Sequence, residues 1–290
     1  MSGLVTSDFQ WEFDGLLLGA GTPYGVTAAP GFVDLSGVRA NFTPRARAHG
    51  GFTEPQFGGG AVLDLEMDVT ATATSTFADA VLALEAWTFP QEGTRPLWWQ
   101  LPGHGLRVMQ VQCLRRSLPL DLSFAVGLVT KAALQFYAPD PLKYGVTQTS
   151  TTGLPSSGGG LAYPLVYPLN YGTTGNPGRV VASNAGSAAV SPVFTVTGPV
   201  DSAGFQVTSI EDGLTVQYNG SVGANDAFVI DTRTGAATLN GTPRFVTFTS
   251  WPRIPAAVGS APGLRTFQFS ALGAYQPLAL LSVASAPGFW

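Results

Sequence analysis

The sequence predicts a mainly β chain with one helix, arranged as a β-sheet or barrel domain followed by a β-sandwich. Three observations carry this expectation. Gly (36) and Pro (22) make up about a fifth of the 290 residues with no Gly-X-Y period, so they mark many tight turns. Between these turns apolar residues alternate with polar ones at a period of two, the signature of half-buried strands. A single window shows the three-and-four spacing of a helix. Two domains are expected from the length, at about 100–200 residues per domain.

Hydrophobic residues form 45% of the chain and charged residues only 11%, against roughly 25% charged in an average soluble protein. The longest purely aliphatic stretch near the start, Leu16-Leu17-Leu18, is far short of the ~20 residues that span a bilayer. The surplus apolar surface is therefore expected to be covered by other subunits. A formal charge of −4 supplies no basic field for a nucleic-acid backbone. Cys113 stands alone, which excludes an intrachain disulfide and a cysteine zinc site. The opening residues, 1–8, lack the charged and apolar regions of a secretory signal and are not expected to be one.

Along the chain, residues 1–60 are the least regular. Gly19-Ala20-Gly21-Thr22-Pro23-Tyr24-Gly25 has glycines like those of a phosphate loop but lacks the Gly-Lys-Ser/Thr ending, and reads as a turn. The polar stretch 43–51 has little to bury and reads as a projecting loop or arm. In 62–70, Leu63, Leu65, Met67 and Val69 alternate with Asp64, Glu66 and Asp68, which predicts a strand with one apolar and one acidic face. Thr76 and Asp79 form a capping pattern, and Phe77, Val81 and Leu84 share a helical face, predicting a helix over 77–88 that ends before Pro90. Residues 98–101 and 106–115 flank Pro102-Gly103-His104-Gly105 and predict a hairpin. A long strand is expected over 124–136, from Phe124 and Val126 through Phe136, stopping at Pro139. Residues 146–178 lose all periodicity and read as a linker with proline-broken chain. Beyond 179, eight short β runs with turn signals between them predict a sandwich or jelly roll.

Candidate chemistry is sparse. Asp64, Glu66 and Asp68 would stand ~6–7 Å apart on one strand face. They read as a solvated face or as an electrostatic surface, such as a channel wall that repels DNA phosphates. Catalysis or metal binding would need ligands converging from several segments. His49 and His104 lie in polar loops with no orienting partner nearby. Trp87, Trp98 and Trp99 read as packing aromatics, leaving Trp251 and Trp290 as candidates for sugar contact, with Trp290 more suited to anchoring the tail.

Leu134-Gln135-Phe136-Tyr137-Ala138-Pro139-Asp140-Pro141-Leu142-Lys143-Tyr144 resembles the end of the N-terminal domain of distal tail (Dit) proteins of long-tailed bacteriophages, a siphophage-type tail component. Tyr163-Pro164, Tyr167-Pro168, the Asn184-Ala185-Gly186 step, Ser191-Pro192, Gly198-Pro199, and Asp231-Thr232-Arg233-Thr234-Gly235 with Leu239-Asn240-Gly241 follow in the family's order. The resemblance implies a tail-tube-like ring-forming domain over 1–145 with a projecting arm near 41–60, then a linker at about 146–178 and a galectin-like sandwich to 290. It implies a structural virion protein at the distal tip of the tail, assembled in the host cytoplasm, with no catalysis, metal or cofactor. Its ring, usually a hexamer, would join the tail tube protein to the hub or baseplate protein. Tape measure and receptor-binding proteins are further implied partners, and DNA would pass through the lumen without specific binding or membrane insertion. Asp64, Glu66 and Asp68 are then expected to line the channel, and Arg45 and Arg47 on the arm to meet a neighbour's carboxylates. The competing reading is a carbohydrate-binding β-sandwich module on a phage or cell surface. A glycan hydrolase is a third, and requires two carboxylates from different strands in one cleft.

Overall fold

The computed structural model describes residues 3–90, 92–158 and 175–290. The chain divides into two compact units, one of residues 1–146 with Phe289 and Trp290, the other of residues 147–288. Tyr163-Pro164 and Tyr167-Pro168 lie outside the described residues.

The first unit contains β1 (Gln10–Phe13), β2 (Leu16–Gly19), β3 (Tyr24–Ala28), β4 (Val38–Arg39), β5 (Phe42–Pro44), β6 (Gly51–Thr53), β7 (Phe57–Gly58), β8 (Ala61–Thr70), α1 (Phe77–Trp87), β9 (Arg95–Leu101), β10 (Gly105–Ser117), α2 (Leu122–Ala125), β11 (Leu128–Ala138) and β12 (Lys143–Tyr144). Seven strands run in the order β2-β1-β9-β10-β11-β8-β3, bent into a nearly closed barrel. The bend lies in β10, which pairs with β9 through Val111 and with β11 from Gln112, with a register shift between Cys113 and Arg115. A bulge of this kind turns one strand from one layer into the next. Inside, Leu63, Leu65, Met67 and Val69 of β8 are buried against Leu134, Phe136, Trp11, Trp99 and Met109. The period-two pattern expected over 62–70 is thus the observed one.

Helix α1 follows the expected pattern at both ends. The Thr76 hydroxyl oxygen accepts from the Asp79 N–H and donates to its carboxylate at 2.6 Å; at the other end the Thr88 N–H and hydroxyl both donate to Leu84 O. Ala80 and Leu84 are buried, and Tyr24 of β3 donates its hydroxyl to Ala80 O at 2.7 Å, fixing the helix to the sheet.

Three expectations are corrected. The strand expected over 124–136 is β11, which begins at Leu128. Asp121 caps α2 by accepting from the Ser123 N–H, Gly127 takes φ +82°, and Phe124 packs edge-on against Phe77 at 5.1 Å. Residues 1–60 hold seven strands, β1 to β7, of which β1 to β3 join the main sheet; runs of four or five residues such as Gln10–Phe13 and Leu16–Gly19 are too short for alternation to stand out in the sequence. The linker expected from 146 contains a strand, β13 (Gln148–Gly153), whose polar Gln-Thr-Ser-Thr-Thr sequence has no apolar alternation.

The Asp140 motif is structural. Its carboxylate accepts from Leu142 N–H and from the Tyr144 hydroxyl at 2.8 Å, so the aspartate organises the turn into β12.

The second unit adds, after β13, β14 (Arg179–Asn184), β15 (Val193–Thr197), β16 (Phe205–Ser209), β17 (Thr215–Tyr218), β18 (Ala227–Asp231), β19 (Ala236–Leu239), β20 (Thr242–Pro243), β21 (Thr247–Phe248), β22 (Gly263–Ala271) and β23 (Leu280–Ser285). One sheet runs β13-β23-β15-β18-β19-β20 and the other β14-β22-β16-β17-β21. They face each other through Phe194 on Phe267 (5.0 Å) and Phe205 and Tyr218 on Phe228 (5.5 and 4.1 Å), which makes the expected sandwich. Of the eight runs expected beyond 179, the one over Phe245 to Thr249 is only the two-residue β21.

The motifs behind the resemblance have physical roles here. Asn184 is fully buried; its amide donates to Ala188 O (2.7 Å) and Pro255 O (2.9 Å), and its carbonyl oxygen accepts from Gly186 N–H. A side chain on Gly186 would place Cβ 1.9 Å from Gly288 O, so the step requires glycine. In the β18–β19 turn Asp231 accepts from Arg233 N–H at 2.8 Å and Gly235 takes φ +74°.

Candidate functional site

Two surfaces of the first unit hold the residues singled out in the sequence. The first is the outer face of the β10-β11-β8-β3 sheet. Since β8 buries its odd-numbered residues, Asp64, Glu66 and Asp68 point away from the core. Antiparallel register then sets their neighbours. Arg115 lies opposite Gln135, and Gln135 opposite Asp64. Ser117, Ala133, Glu66 and Ala28 form the next row, and Gly25 lies beside Asp68. Gln135 donates to Asp64 at 3.0 Å, and Asp68 accepts the backbone N–H of Lys131 at 3.0 Å. Lys131 sits in a bulge of β11 with φ +56°. The Glu66 carboxylate has no partner among the described residues.

The face is therefore mainly polar, with three acids facing the exposed cations Lys131 and Arg115, Val62 paired with Tyr137 at one end, and Leu114 exposed next to Arg115 in the chain. The two cations were invisible in the sequence. Arg115 reaches the Asp64 row only across the register shift in β10, and Lys131 lies within the shift in β11. The acids stand in a line without converging, and among the described residues no three His, Cys, Asp or Glu side chains come together as metal ligands.

The second surface is the segment read in the sequence as an arm. Residues 38–58 form a ribbon of two ladders, β4 with β7 and β5 with β6, closed by a turn in which Arg45 N–H donates to Gly50 O. Arg39, Arg45 and Arg47 are exposed, and the Arg45 guanidinium lies 5.2 Å from the Phe52 ring centre. Phe52 and Phe57 are also mainly exposed. His49 lies in this turn and His104 in the β9–β10 turn, both exposed.

The two aromatic candidates for sugar contact are engaged in packing. Trp251 stacks on Phe248 at 4.2 Å and abuts Gly235. Trp290 lies in the first unit against Gly58, where a Cβ would come 2.7 Å from its ring. The Arg107 guanidinium covers the ring of Phe289 at 3.5 Å, and burial lowers its pKa. Burial likewise raises the pKa of the Cys113 thiol, against smaller lowering effects from a backbone hydrogen bond with Arg115 and from the charge of Arg116, so it is no activated nucleophile.

Residues 185–256 match the family model of the siphovirus-type tail component, C-terminal domain. No curated protein sequence matches significantly. Among solved structures, the crystal structure of the SPP1 Dit protein, described as a paradigm of the hub adsorption apparatus in phages infecting Gram-positive bacteria, superposes with a TM-score of 0.62. That superposition covers 98% of this chain and 100% of the other at 13% identity. The phage p2 baseplate in its activated conformation, with Sr and with Ca, gives TM-scores of 0.48 at 8% identity over 95% of this chain and 97% of the other. Residues 185–256 are thus similar to the C-terminal domain of the siphovirus-type tail component, and the chain shares the fold of the SPP1 Dit protein over nearly its whole length, in line with the sequence resemblance.

Proposed function

We propose that this protein is a structural virion component that forms a ring, a hexamer in the family's usual manner, at the distal end of a phage tail. The ring joins the tail tube protein to the hub or baseplate protein, carries receptor-binding parts on its periphery and continues the DNA channel. No catalytic step is part of this function. The observation that carries the reading is the outer face of the β10-β11-β8-β3 sheet. Its inner side is an apolar core, whereas its outer side is mainly polar and net acidic along Asp64, Glu66 and Asp68, with Val62 and Tyr137 paired at one end of the row. Such a face suits a wall along which a polyanion must slide without sticking. The apolar surface elsewhere, including Leu82, Leu120, Leu122 and Val126, suits contacts with neighbouring subunits and tail proteins.

The test is the solution mass of the purified chain by light scattering, alone and mixed with tail tube and hub proteins, with negative-stain images. The expected species is an annulus of about six times the 30.1 kDa subunit. A monomer under all of these conditions overturns the ring. The carbohydrate-module reading would have to use Trp251, stacked on Phe248, or Trp290, which lies against Gly58 with 47% of its surface exposed; a chain that stays monomeric and binds glycans through either ring would favour it.

A further inference from the structure

Residues 242–248 cross the surface of the sandwich from β20, the last strand of one sheet, to β21, the last strand of the other. Both ends of the crossing are pinned, since the Arg244 N–H donates to Ala237 O at 2.8 Å and the Thr249 N–H to Thr215 O at 3.1 Å. What the crossing holds out is aromatic. Phe245 is 98% exposed and adds nothing to the core, while Phe248, 45% exposed, stacks on Trp251 with the two rings 23° from parallel. Apolar rings grouped and held in water in this way mark a surface that meets a ligand.

The charge beside these rings has one sign. All 18 acidic residues lie before position 232, and the chain beyond carries Arg233, Arg244, Arg253 and Arg265. Arg265 pairs with Asp212 at 3.2 Å, and its Nε donates to Arg253 O, which fixes that stretch of chain. Arg244 adjoins Phe245, and Arg253 follows Trp251 by two residues; both are exposed, and neither guanidinium meets a carboxylate among the described residues. Tyr275, another exposed aromatic side chain of the second unit, has the opposite setting, with Asp201 accepting the N–H of its neighbour Ala274 at 2.9 Å.

Rings interleaved with guanidinium groups suit an anion that also has flat apolar faces. Few arginines on a chain of formal charge −4 give no continuous basic field of the kind a nucleic-acid backbone needs. The same segment exposes Thr242, Thr247, Thr249 and Ser250, whose hydroxyls both donate and accept. A sugar ring offers C–H faces to aromatic rings and hydroxyls around its rim, and a phosphate between sugars brings one negative charge per repeat. We propose that Arg244, Phe245, Phe248, Trp251 and Arg253 form a binding site for a phosphate-bearing polysaccharide, with the rings against sugar faces and the guanidinium groups on phosphates. The site belongs to the second unit and goes beyond the ring reading without depending on it.

The experiment titrates the full chain calorimetrically with a polymer of glucose units joined by phosphodiesters. Dextran, inorganic polyphosphate, polyglutamate and a single-stranded oligonucleotide are the comparison polymers. The native protein is set beside Arg244→Glu with Arg253→Glu, beside Phe245→Ala, and beside the first unit's Arg39→Glu with Arg45→Glu and Arg47→Glu, with circular dichroism and light scattering confirming native fold and mass. The expected result is tightest binding of the sugar-phosphate polymer, a loss of about tenfold or more in the Arg244 and Arg253 reversal, a severalfold loss in Phe245→Ala and no loss in the first-unit variant. Absence of binding by the native protein, or binding unaffected by reversal of Arg244 and Arg253, overturns the site. A comparison polymer bound as tightly as the sugar phosphate, or a Phe245→Ala variant that binds like the native protein, overturns the assignment to a polysaccharide. Each of these failures leaves the solution mass, and with it the ring, untouched, whereas a monomer that binds as expected overturns the ring and keeps the site.

Discussion

Lys143 is 6% exposed, and its ammonium donates to Asp34 O at 2.8 Å. Burial lowers its pKa, and the charge of Asp34 offsets this only in part. The folded state therefore releases the Lys143 proton at a lower pH than the unfolded chain, whose lysines titrate at about 10.4. Between those two values the unfolded state binds more protons, and stability rises with pH. Tyr24 works in the opposite sense. Burial raises its pKa, so above about 10 the folded state keeps a proton that the unfolded state has lost, and stability falls with pH. Comparing the native protein with Lys143→Met isolates the lysine, because Tyr24 is common to both. The expected outcome of urea titrations over this range is that the stability of the native protein rises relative to the variant as pH increases, with a constant difference at neutral pH. A difference independent of pH throughout would show that burial does not govern Lys143. The sequence shows Lys143 only as part of the 134–144 string, and gives no sign of its burial, which depends on the segment around Asp34, more than a hundred residues earlier.

At the scale of elements, α1 is held to the sheet by one buried bond as well as by its apolar side. Tyr24→Phe removes the donor to Ala80 O while keeping the ring, and is expected to cost about 1 kcal/mol. The cost is measured as a shift in the urea midpoint at unchanged m-value. An unchanged midpoint would mean that packing alone seats the helix. The elements that could be read from sequence share a physical trait, which is that their burial is set locally. β8 has a full ten residues of alternation, and α1 has a cap, a periodic face and Pro90 beyond its end. The elements misread are those whose boundaries are set by backbone conformation or by distant partners. Phe124 and Val126 continue the alternation of β11 on paper, but Asp121 and Gly127 turn the chain into α2 instead. The threonines of β13 show no period because that strand is an edge, paired only with β23. The acidic row was legible by the same rule as β8, and its cations were not, because Arg115 reaches the Asp64 row only through the register of β10 and β11.

For the whole molecule, the scarcity of charge makes the distribution of the few charges consequential. In a ring with the β10-β11-β8-β3 face inward, each subunit presents Asp64, Glu66 and Asp68 with Lys131 and Arg115, a net negative wall repeated around the lumen. Replacing the acids by Asn, Gln and Asn preserves the acceptors used by Gln135 and by the Lys131 N–H. It also leaves the two cations unopposed, so the wall changes sign. Phosphates would then meet a positive surface at close range, where attraction is strong and released counterions favour binding. The triple variant is expected to fold and assemble with the native mass and stability, and to give tails in normal number. Those particles are expected to release DNA more slowly on triggering, with the defect relieved as ionic strength rises and screening shortens the range of the attraction. Adding Lys131→Gln and Arg115→Gln to the triple variant should restore release by returning the wall to neutrality. Native release kinetics from the triple variant at low salt would place these acids away from the DNA path while leaving the fold and the ring untouched.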